Sequence, residues 1–305
     1  MTTRLSKSRY LSGLQCPKRL YLEVHTRELA TPFDASTQAI LDAGTRVGEL
    51  ARERYPGGVL VDVEYFKVEE GLARTTPLLA DPAVSVLYEG FIAFDDVVVR
   101  PDILVRSGGN RWRLIEVKST AQAKPEHRDD LAIQAHVLAG AGLTLDATCL
   151  LHVNTEYVYP GGPLDLPQLF QEADLTREVA DRQGDIPTRL AAMRHTMAAA
   201  VPPPIEPDDH CFTPYGCPFW EHCANGKPDR WIYHLPGSRR AFQELSARRI
   251  ETIDEIPVGY PLQLIQQRVK DNVEWVGAGL QAALITVEYP VHHLDFETLG
   301  SAIPL

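Results

Sequence analysis

The sequence lacks a hydrophobic run long enough to cross a membrane. No apolar stretch in its 305 residues approaches the ~20 residues of a transmembrane helix. The first residues, MTTRLSKSRYLSG, also lack the apolar centre of a secretory signal peptide. We therefore expect a cytoplasmic protein without membrane partners. A hydrophobic content of 44% and a charged content of 23% are typical of a globular protein with a sizeable core.

Basic residues are also fewer than acidic ones: 30 Lys and Arg stand against 41 Asp and Glu, which gives a formal net charge of −11. Proteins that bind nucleic acid in general are usually basic, so the charge taken alone argues against that class. A nuclease, however, concentrates carboxylates at its metal site and needs only a local basic track. The candidate tracks are Arg4, Lys7, Arg9, Lys18 and Arg19, and Arg239, Arg240, Arg248 and Arg249. Ordinary solvated surface is the alternative interpretation of both.

We expect the centre of the fold to be formed by residues 97–120, VVVRPDILVRSGGNRWRLIEVKST. The pattern indicates two strands joined by a tight turn at Ser107-Gly108-Gly109-Asn110, where glycine and asparagine tolerate positive φ angles. The first strand carries Asp102. The second carries Glu116 and Lys118, which share a face because side chains alternate along a strand. Two carboxylates and a lysine are therefore expected to converge beside an apolar sheet.

These side chains suit metal-dependent cleavage of a phosphodiester. Asp102 and Glu116 offer the oxygen ligands that Mg²⁺ and Mn²⁺ prefer, and the Val117 carbonyl is a further candidate ligand. Such a metal lowers the pKa of bound water and neutralises charge on the phosphate. Lys118 would position the nucleophile or stabilise developing charge. A solvent-facing Glu116–Lys118 pair on an edge strand is the alternative. Glu89, at the sheet edge, is a further acidic candidate.

Two predicted helices carry the supporting candidates. A helix over residues 36–55, capped by Ser36, carries Glu49, which could complete the site. A helix from about Asp129 to Ala141 carries Gln134 on its apolar face. That amide could orient the metal site or contact the substrate backbone. A satisfied core amide is the alternative.

The order P-D, then E-V-K, then a helical glutamine resembles the PD-(D/E)XK nuclease superfamily in its RecB-like branch. The resemblance implies an α/β fold with a restriction-endonuclease-like mixed sheet flanked by helices, and metal-dependent cleavage of DNA. The residues it implies for catalysis are Asp102, Glu116, Lys118, Gln134 and Glu49. Two positions depart from the family pattern. Gly48 stands where the family often has histidine, and Leu138 stands where it often has tyrosine.

The five cysteines are an odd number, which argues against a disulfide framework in a cytosolic chain. Cys211, Cys217 and Cys223 are spaced C-x₅-C-x₅-C, and Cys16 is a distant fourth. This spacing is wider than that of most zinc sites, while four cysteines with proline after two of them suit a [4Fe–4S] cluster. Spacing alone leaves the cluster, zinc and buried thiols open. Cys149, in a predicted strand, is interpreted as a small buried apolar residue.

The segment LSGLQCPKRLYL, followed much later by a cysteine triplet, resembles the iron–sulfur nucleases of the AddB type and the CRISPR-associated RecB-like exonucleases. The resemblance implies that Cys16, Cys211, Cys217 and Cys223 hold a [4Fe–4S] cluster. It also implies a structural role, in which a Cys-ligated cluster subdomain joins both ends of the nuclease region.

The C-terminal segment YPVHHLDFET resembles the opening motif of DnaQ-like exonucleases, which have an RNase H-like fold. Asp295 and Glu297 lie two residues apart in a predicted strand, so both would point to one face, an arrangement that suits two-metal phosphodiester chemistry. Because the sequence stops at Leu305, we expect only the truncated start of such a domain and no exonuclease activity from this end. The order of the two domains resembles an uncharacterised bacterial family.

The sequence thus predicts three regions: a RecB-like nuclease with an iron–sulfur cluster over 1–227, a C-terminal helical linker region over 228–285, and the truncated DnaQ-like start over 286–305. The expected function is a Mg²⁺- or Mn²⁺-dependent DNA nuclease, an exonuclease acting on single strands or duplex ends in repair or defence. No Walker-type loop is present, so helicase action would come from a partner protein. The alternatives are a catalytically weak nucleic-acid-binding module of the same fold and a zinc-stapled interaction domain.

Overall fold

The computed structural model describes residues 4–237, 239–295 and 302–303. The chain forms two compact units. The first contains the residues up to Ile205, Thr213–Phe219 and residues 302–303, and the second contains Glu206–Phe212 and the described residues from Trp220 to Asp295. Within these ranges, every helix is too short or too polar to cross a membrane.

The strands and helices have the following bounds. The strands are β1 (Leu5–Ser6), β2 (Val59–Leu60), β3 (Val86–Tyr88), β4 (Ile92–Phe94), β5 (Val97–Val99), β6 (Ile103–Gly108), β7 (Arg111–Lys118), β8 (Thr144–Val153) and β9 (Phe170–Asp174). The helices are α1 (Lys7–Gln15), α2 (Pro17–His25), α3 (Ala35–Glu53), α4 (Val68–Ala80), α5 (Pro125–Gly140), α6 (Leu166–Leu169), α7 (Thr176–Ala180), α8 (Ile186–Ala198), α9 (Trp220–Ala224), α10 (Arg240–Ala247), α11 (Leu264–Lys270) and α12 (Leu280–Ile285).

A six-stranded mixed sheet with the order β2-β3-β6-β7-β8-β9 forms the centre of the first unit. β7 pairs antiparallel with β6 and parallel with β8. A smaller three-stranded sheet has the order β1-β5-β4. The mixed α/β architecture predicted from the sequence, a mixed sheet flanked by helices, is confirmed.

Alternation along β7 sends its side chains to two different helices. Leu114 packs in the apolar cluster that contains the α5 residues, whereas Ile115 and Val117 pack in the cluster that contains the α3 residues. Glu116 and Lys118 have the same parity as Leu114 and therefore face α5. The chain thus buries both faces of β7 and directs the polar residues of the E-V-K motif toward one helix.

The predicted turn between the two strands of the hairpin is confirmed. Gly109, between β6 and β7, has a φ of 53°, which glycine adopts without the steric cost of a Cβ. The prediction of the first strand was wrong in one respect, because residues 97–106 do not form one continuous strand. β5 belongs to the three-stranded sheet and β6 to the six-stranded sheet. Pro101 lies between them, and it lacks the N–H that would continue the ladder.

Two predicted element ends also differ. Asp34, rather than Ser36, caps α3, since its carboxylate accepts the Thr37 N–H at 2.7 Å. α5 begins at Pro125 instead of Asp129, and proline is favoured in a first helical turn because the N–H it lacks would have no partner there.

The second unit has an aromatic core between short helices. Ring centroids of neighbouring aromatics lie between 4.6 and 5.9 Å apart. The rings are Phe212, Trp220, Trp231, Tyr233 and Phe242. A helix-turn-helix predicted over residues 241–257 is wrong in its second half, where α10 is followed by the single 3₁₀ turn Ile253–Glu255.

The predicted C-terminal strand falls only partly within the described residues. Residues 286–295 lie in no strand, and Asp295 ends that range. Glu297 lies outside the described residues.

Candidate active site

Four of the predicted site residues meet beside the C-terminal end of β7. Lys118 Nζ donates to Glu116 Oε1 at 2.7 Å, and Gln134 Nε2 donates to Glu116 Oε2 at 2.7 Å. Asp102 Oδ2 accepts the backbone N–H of Val117 at 2.7 Å. The backbone of β7 therefore holds Asp102 next to Glu116, and α5 supplies the amide.

Two further residues join this group, and the sequence did not place either of them there. Asp130 accepts Lys118 Nζ at Oδ2 (2.8 Å) and Gln134 Nε2 at Oδ1 (2.8 Å). Lys7, at the start of α1, lies 2.8 Å from Glu116 Oε1 and 3.3 Å from Asp130 Oδ1. The spacing Asp130-x₃-Gln134 puts both side chains on one helical face and could have indicated Asp130. Lys7 carries no comparable signal.

The carboxylates and the amide of this group are buried from solvent, whereas its two lysines are partly exposed. Glu116, Asp130 and Gln134 are 1%, 2% and 0% exposed. The side chains of Lys7 and Lys118 are 23% and 25% exposed. Gln134 Oε1 is buried without a hydrogen-bond partner among the described residues. Because its NH₂ is committed to two carboxylates, this oxygen is left to accept a hydrogen bond from a water or a ligand.

Asp102 is the carboxylate with the least charge compensation. Burial and the negative charge of Glu116 raise the pKa of Asp102 to about 7, against the opposing positive charges of Lys7 and Lys118. Two adjacent carboxylates that share a buried space resist ionising together. A cation between them would remove that repulsion.

Glu116, Lys118 and Lys7 are held firmly charged. Burial would raise the pKa of Glu116, but the charges of Lys118 and Lys7 outweigh it and hold that pKa well below its usual range. Burial would likewise lower the pKa of Lys118, but Glu116 and Asp130 raise it well above the usual value. Lys7 follows the same pattern, with Asp130 and then Glu116 as the charges that raise its pKa. Both lysines are therefore ammonium ions at neutral pH.

The donor set fits a hard divalent cation that also takes ligands from water and substrate. Mg²⁺ is usually bound through one or two carboxylates together with substrate phosphates, rather than by a complete protein cage. Asp102 and Glu116 supply that number of carboxylates, and the repulsion between them favours a cation. Across the ranges that the structure describes, no group of three or more His, Cys, Asp or Glu side chains is placed to hold a metal. The Val117 carbonyl stays a predicted ligand.

Glu49 lies in a different neighbourhood. Its carboxylate pairs with Arg46 at 2.9 Å, and its side chain is 43% exposed. It lines an open recess of about 480 Å³ together with Arg52 and Tyr88. Among the described residues, no hydrogen bond joins Glu49 to Glu116, Lys118 or Gln134, so its part in catalysis stays a prediction.

Glu89 is joined to the site through its backbone. Its N–H donates to the Asp102 carbonyl at 3.2 Å, and its φ is 58°, an unfavourable left-handed value for a residue other than glycine. Its carboxylate lies between Arg52 (3.2 Å) and Arg100 (3.1 Å). Two guanidinium groups thus compensate this carboxylate, in contrast to Asp102.

Tyr215, which lies between Cys211 and Cys217 in the sequence, is close enough to the site for the charges there to act on its side chain. Gln15 Nε2 of α1 donates to the Tyr215 carbonyl at 2.7 Å, and the side chain is half-exposed. Burial raises the pKa of Tyr215, and the charges of Glu126 and Asp130 add to the rise. No local pattern in the sequence associates this tyrosine with the hairpin.

The four cysteines predicted as cluster ligands are divided between the two units. Cys16 and Cys217 belong to the first unit, and Cys211 and Cys223 to the second. Cys16 and Cys211 are buried, and the other two are half-buried. Cys149 is 2% exposed, which confirms that it is a buried residue, and burial raises the pKa of its thiol to about 12.

Comparisons with known proteins give low similarities. No protein-family model matches the chain, and no curated protein sequence matches it. Among solved structures, the chain is similar to an alkaline exonuclease (LHK-Exo) from Laribacter hongkongensis, with 16% identity over 64% of this chain and 90% of that one and a TM-score of 0.37. It is also similar to the crystal structure of SSO0001, with 14% identity over 61% and 77% of the two chains and a TM-score of 0.30.

Proposed function

We propose that this chain is a Mg²⁺- or Mn²⁺-dependent deoxyribonuclease of the PD-(D/E)XK type. The observation that supports the proposal is the arrangement around Glu116, a buried carboxylate that accepts Lys118 on one oxygen and Gln134 on the other. Asp102 stands beside it with a raised pKa. Buried charges are costly unless they are paired, and groups of buried ionisable side chains with shifted pKa values are enriched at functional sites.

Each residue has a distinct role in this proposal. Asp102 and Glu116 hold the cation, which when bound supplies positive charge and lowers the pKa of a water. Lys118 donates to the phosphate oxygens and stabilises the charge that develops on them. Gln134 orients Glu116 through Nε2 and leaves Oε1 to accept a hydrogen bond from the attacking water or the substrate.

The experiment is a cleavage assay with Mn²⁺ or Mg²⁺ on linear duplex, single-stranded and closed circular DNA. We expect wild type to degrade the first two faster than the circle, and Asp102→Ala and Lys118→Ala to lower the rate constant at least about 100-fold. Lys67→Met is the matched control, because Lys67 is an exposed lysine whose salt bridge, within the described ranges, is to Glu64 at 3.0 Å. Inert wild type, or variants that cut as fast as wild type, would remove the nuclease proposal.

We also propose that Cys16, Cys211, Cys217 and Cys223 hold a [4Fe–4S] cluster with a structural role. The support is the residue type and the prolines that follow Cys16 and Cys217, which suit such clusters. Protein purified without oxygen should be brown and contain about four iron atoms and four sulfides per chain. Colourless protein loaded with zinc would instead favour the structural zinc alternative.

A further inference from the structure

We infer that Lys7 is a second cationic contact for the substrate phosphate, held beside Lys118 by the shared counter-ion Asp130. The inference rests on the proposed nuclease function and adds a residue to its site. It makes the start of α1 part of the catalytic surface, although 109 residues separate Lys7 from Glu116.

The contacts of Lys7 repeat those of Lys118. Both ammonium groups lie within 2.8 Å of the same oxygen, Glu116 Oε1. Both also reach Asp130, Lys118 at Oδ2 (2.8 Å) and Lys7 at Oδ1 (3.3 Å). The site therefore holds two ammonium groups with equivalent contacts to one pair of carboxylates. In phosphodiester cleavage, a second positive charge would help to stabilise the negative charge on the phosphate oxygens.

An ordinary surface salt bridge does not account for Lys7. Exposed pairs contribute roughly 0 to 1 kcal/mol, and both partners then stay largely in water. Here Glu116 and Asp130 are almost fully buried, and the side chain of Lys7 is less than one-quarter exposed. Lys7 completes the neutralisation of these two buried carboxylates, and its side chain, 23% exposed, also lies on the open side of the group, where a substrate phosphate can reach it.

Asp130 explains how both lysines stay in place when a cation binds. A divalent cation held by Asp102 and Glu116 would take oxygen lone pairs of Glu116 that the two ammonium groups use in its absence. Asp130 is not required by that cation and retains its contacts to both lysines. Each ammonium released from Glu116 then has free N–H donors for phosphate oxygens, because a lysine carries three.

The first test measures DNA binding instead of cleavage. We expect Ca²⁺, which takes the same oxygen ligands, to occupy the site. The affinity for a fluorescent duplex is then measured in Ca²⁺ as a function of salt concentration. A lysine that contacts a phosphate contributes about 0.9 to the slope of log affinity against log salt. We expect Lys7→Met to lose about that amount, and the control Lys67→Met to keep the wild-type slope.

The second test measures the single-turnover rate constant at saturating DNA with Mn²⁺. We expect Lys7→Met and Lys7→Gln to lower it about 100-fold, the effect typical of losing one charged donor at a transition state. Lys7→Arg, which keeps the charge, should recover most of the rate. Lys7→Gln keeps a hydrogen-bond donor for the buried carboxylates, so it supplies a folded neutral variant if Lys7→Met unfolds.

The outcomes separate the inference from the function it rests on. If wild type cuts DNA while both neutral variants keep its rate and salt slope and lose only thermal stability, Lys7 is a structural counter-ion and the inference is overturned. If wild type does not cut but the slope still depends on Lys7, the phosphate contact stands and the nuclease proposal fails.

Discussion

Asp102 and Glu116 are neighbouring carboxylates with opposite electrostatic surroundings. Glu116 accepts two ammonium groups and one amide, which satisfy both of its oxygens. Asp102 accepts one backbone N–H and faces the charge of Glu116. Without a cation, the site therefore contains one carboxylate that destabilises the fold when it is ionised. Such residues are expected where function, rather than stability, decides what is kept.

We predict that Asp102→Asn raises the stability of the metal-free protein while it abolishes cleavage. The asparagine oxygen can still accept the Val117 N–H, and the repulsion with Glu116 disappears. The folded pKa of Asp102, about 7, lies above its ordinary value of 3.8, so the folded state holds the proton more tightly. The free energy of unfolding of wild type should therefore fall relative to that of the variant as the pH rises from about 4 to 7. Above about pH 7 the difference should stay constant. Thermal unfolding after chelator dialysis measures the difference.

Glu89→Gln is the matched comparison for this prediction. Glu89 is bonded through its backbone to the same segment, but Arg52 and Arg100 compensate its carboxylate. Removing that charge should lower the unfolding temperature instead of raising it. If both variants shift the unfolding temperature in the same direction, the account of Asp102 is wrong.

The hairpin of β6 and β7 was predictable because its signals are local. Gly-Gly-Asn between alternating strands indicated the turn, and the parity of Glu116 and Lys118 indicated a shared face. Lys7 and Asp130 were not assigned to the site for the opposite reason. The contacts of Lys7 and Asp130 with the β7 residues depend on tertiary packing between distant segments, which no local pattern records. The spacing Asp130-x₃-Gln134 indicates only that these two side chains share a helical face. The division of residues 97–106 between two sheets is an intermediate case, because Pro101 indicates a break in the strand but does not indicate that the two parts pair in different sheets.

Helix packing gives an element-scale prediction from two glycines. Replacing a helical glycine by alanine normally stabilises a protein by about 0.5 to 1 kcal/mol. A Cβ at Gly44, in α3, would have no atom within 4 Å, so Gly44→Ala should show that gain. A Cβ at Gly71, in α4, would lie 2.4 Å from the buried ring of Phe91.

Gly71→Ala should therefore destabilise the protein, by about 1 to 3 kcal/mol, the usual penalty for overpacking a core. Urea unfolding of both variants measures the two effects under one set of conditions. Equal stabilisation of both variants would show that Phe91 moves aside without cost, contrary to the close packing of α4 on β4 and its neighbours.

At the scale of the whole molecule, the net charge of −11 and the proposed substrate are compatible. Long-range attraction to a polyanion should be weak, so binding should depend on few phosphate contacts and on the cation that bridges carboxylate and phosphate. The cationic groups that matter are concentrated where Lys7 and Lys118 meet Glu116. Composition alone could exclude a generally basic binder, but it could not reveal that local concentration.

A cluster held by Cys16 and the cysteine triplet would act on the stability of the whole chain. About 195 residues separate Cys16 from Cys211 (211 minus 16), and a cross-link of that span restricts the unfolded chain by on the order of 5 kcal/mol. We therefore predict that Cys16→Ser lowers the iron content and lowers the unfolding temperature by several degrees, on the order of 5 to 10 °C.

Cys149→Ala is the control for that prediction, because Cys149 lies in β8 and is buried among apolar side chains such as Ile115 and Leu151. This variant should keep the full iron content and lose only the stability of one small buried side chain, about 1 kcal/mol. Iron analysis, visible absorption and thermal unfolding of the two variants, all purified without oxygen, make the comparison. Equal iron in Cys16→Ser and Cys149→Ala would exclude Cys16 as a ligand. Any loss of thermal stability in Cys16→Ser would then need a cause other than loss of the cluster.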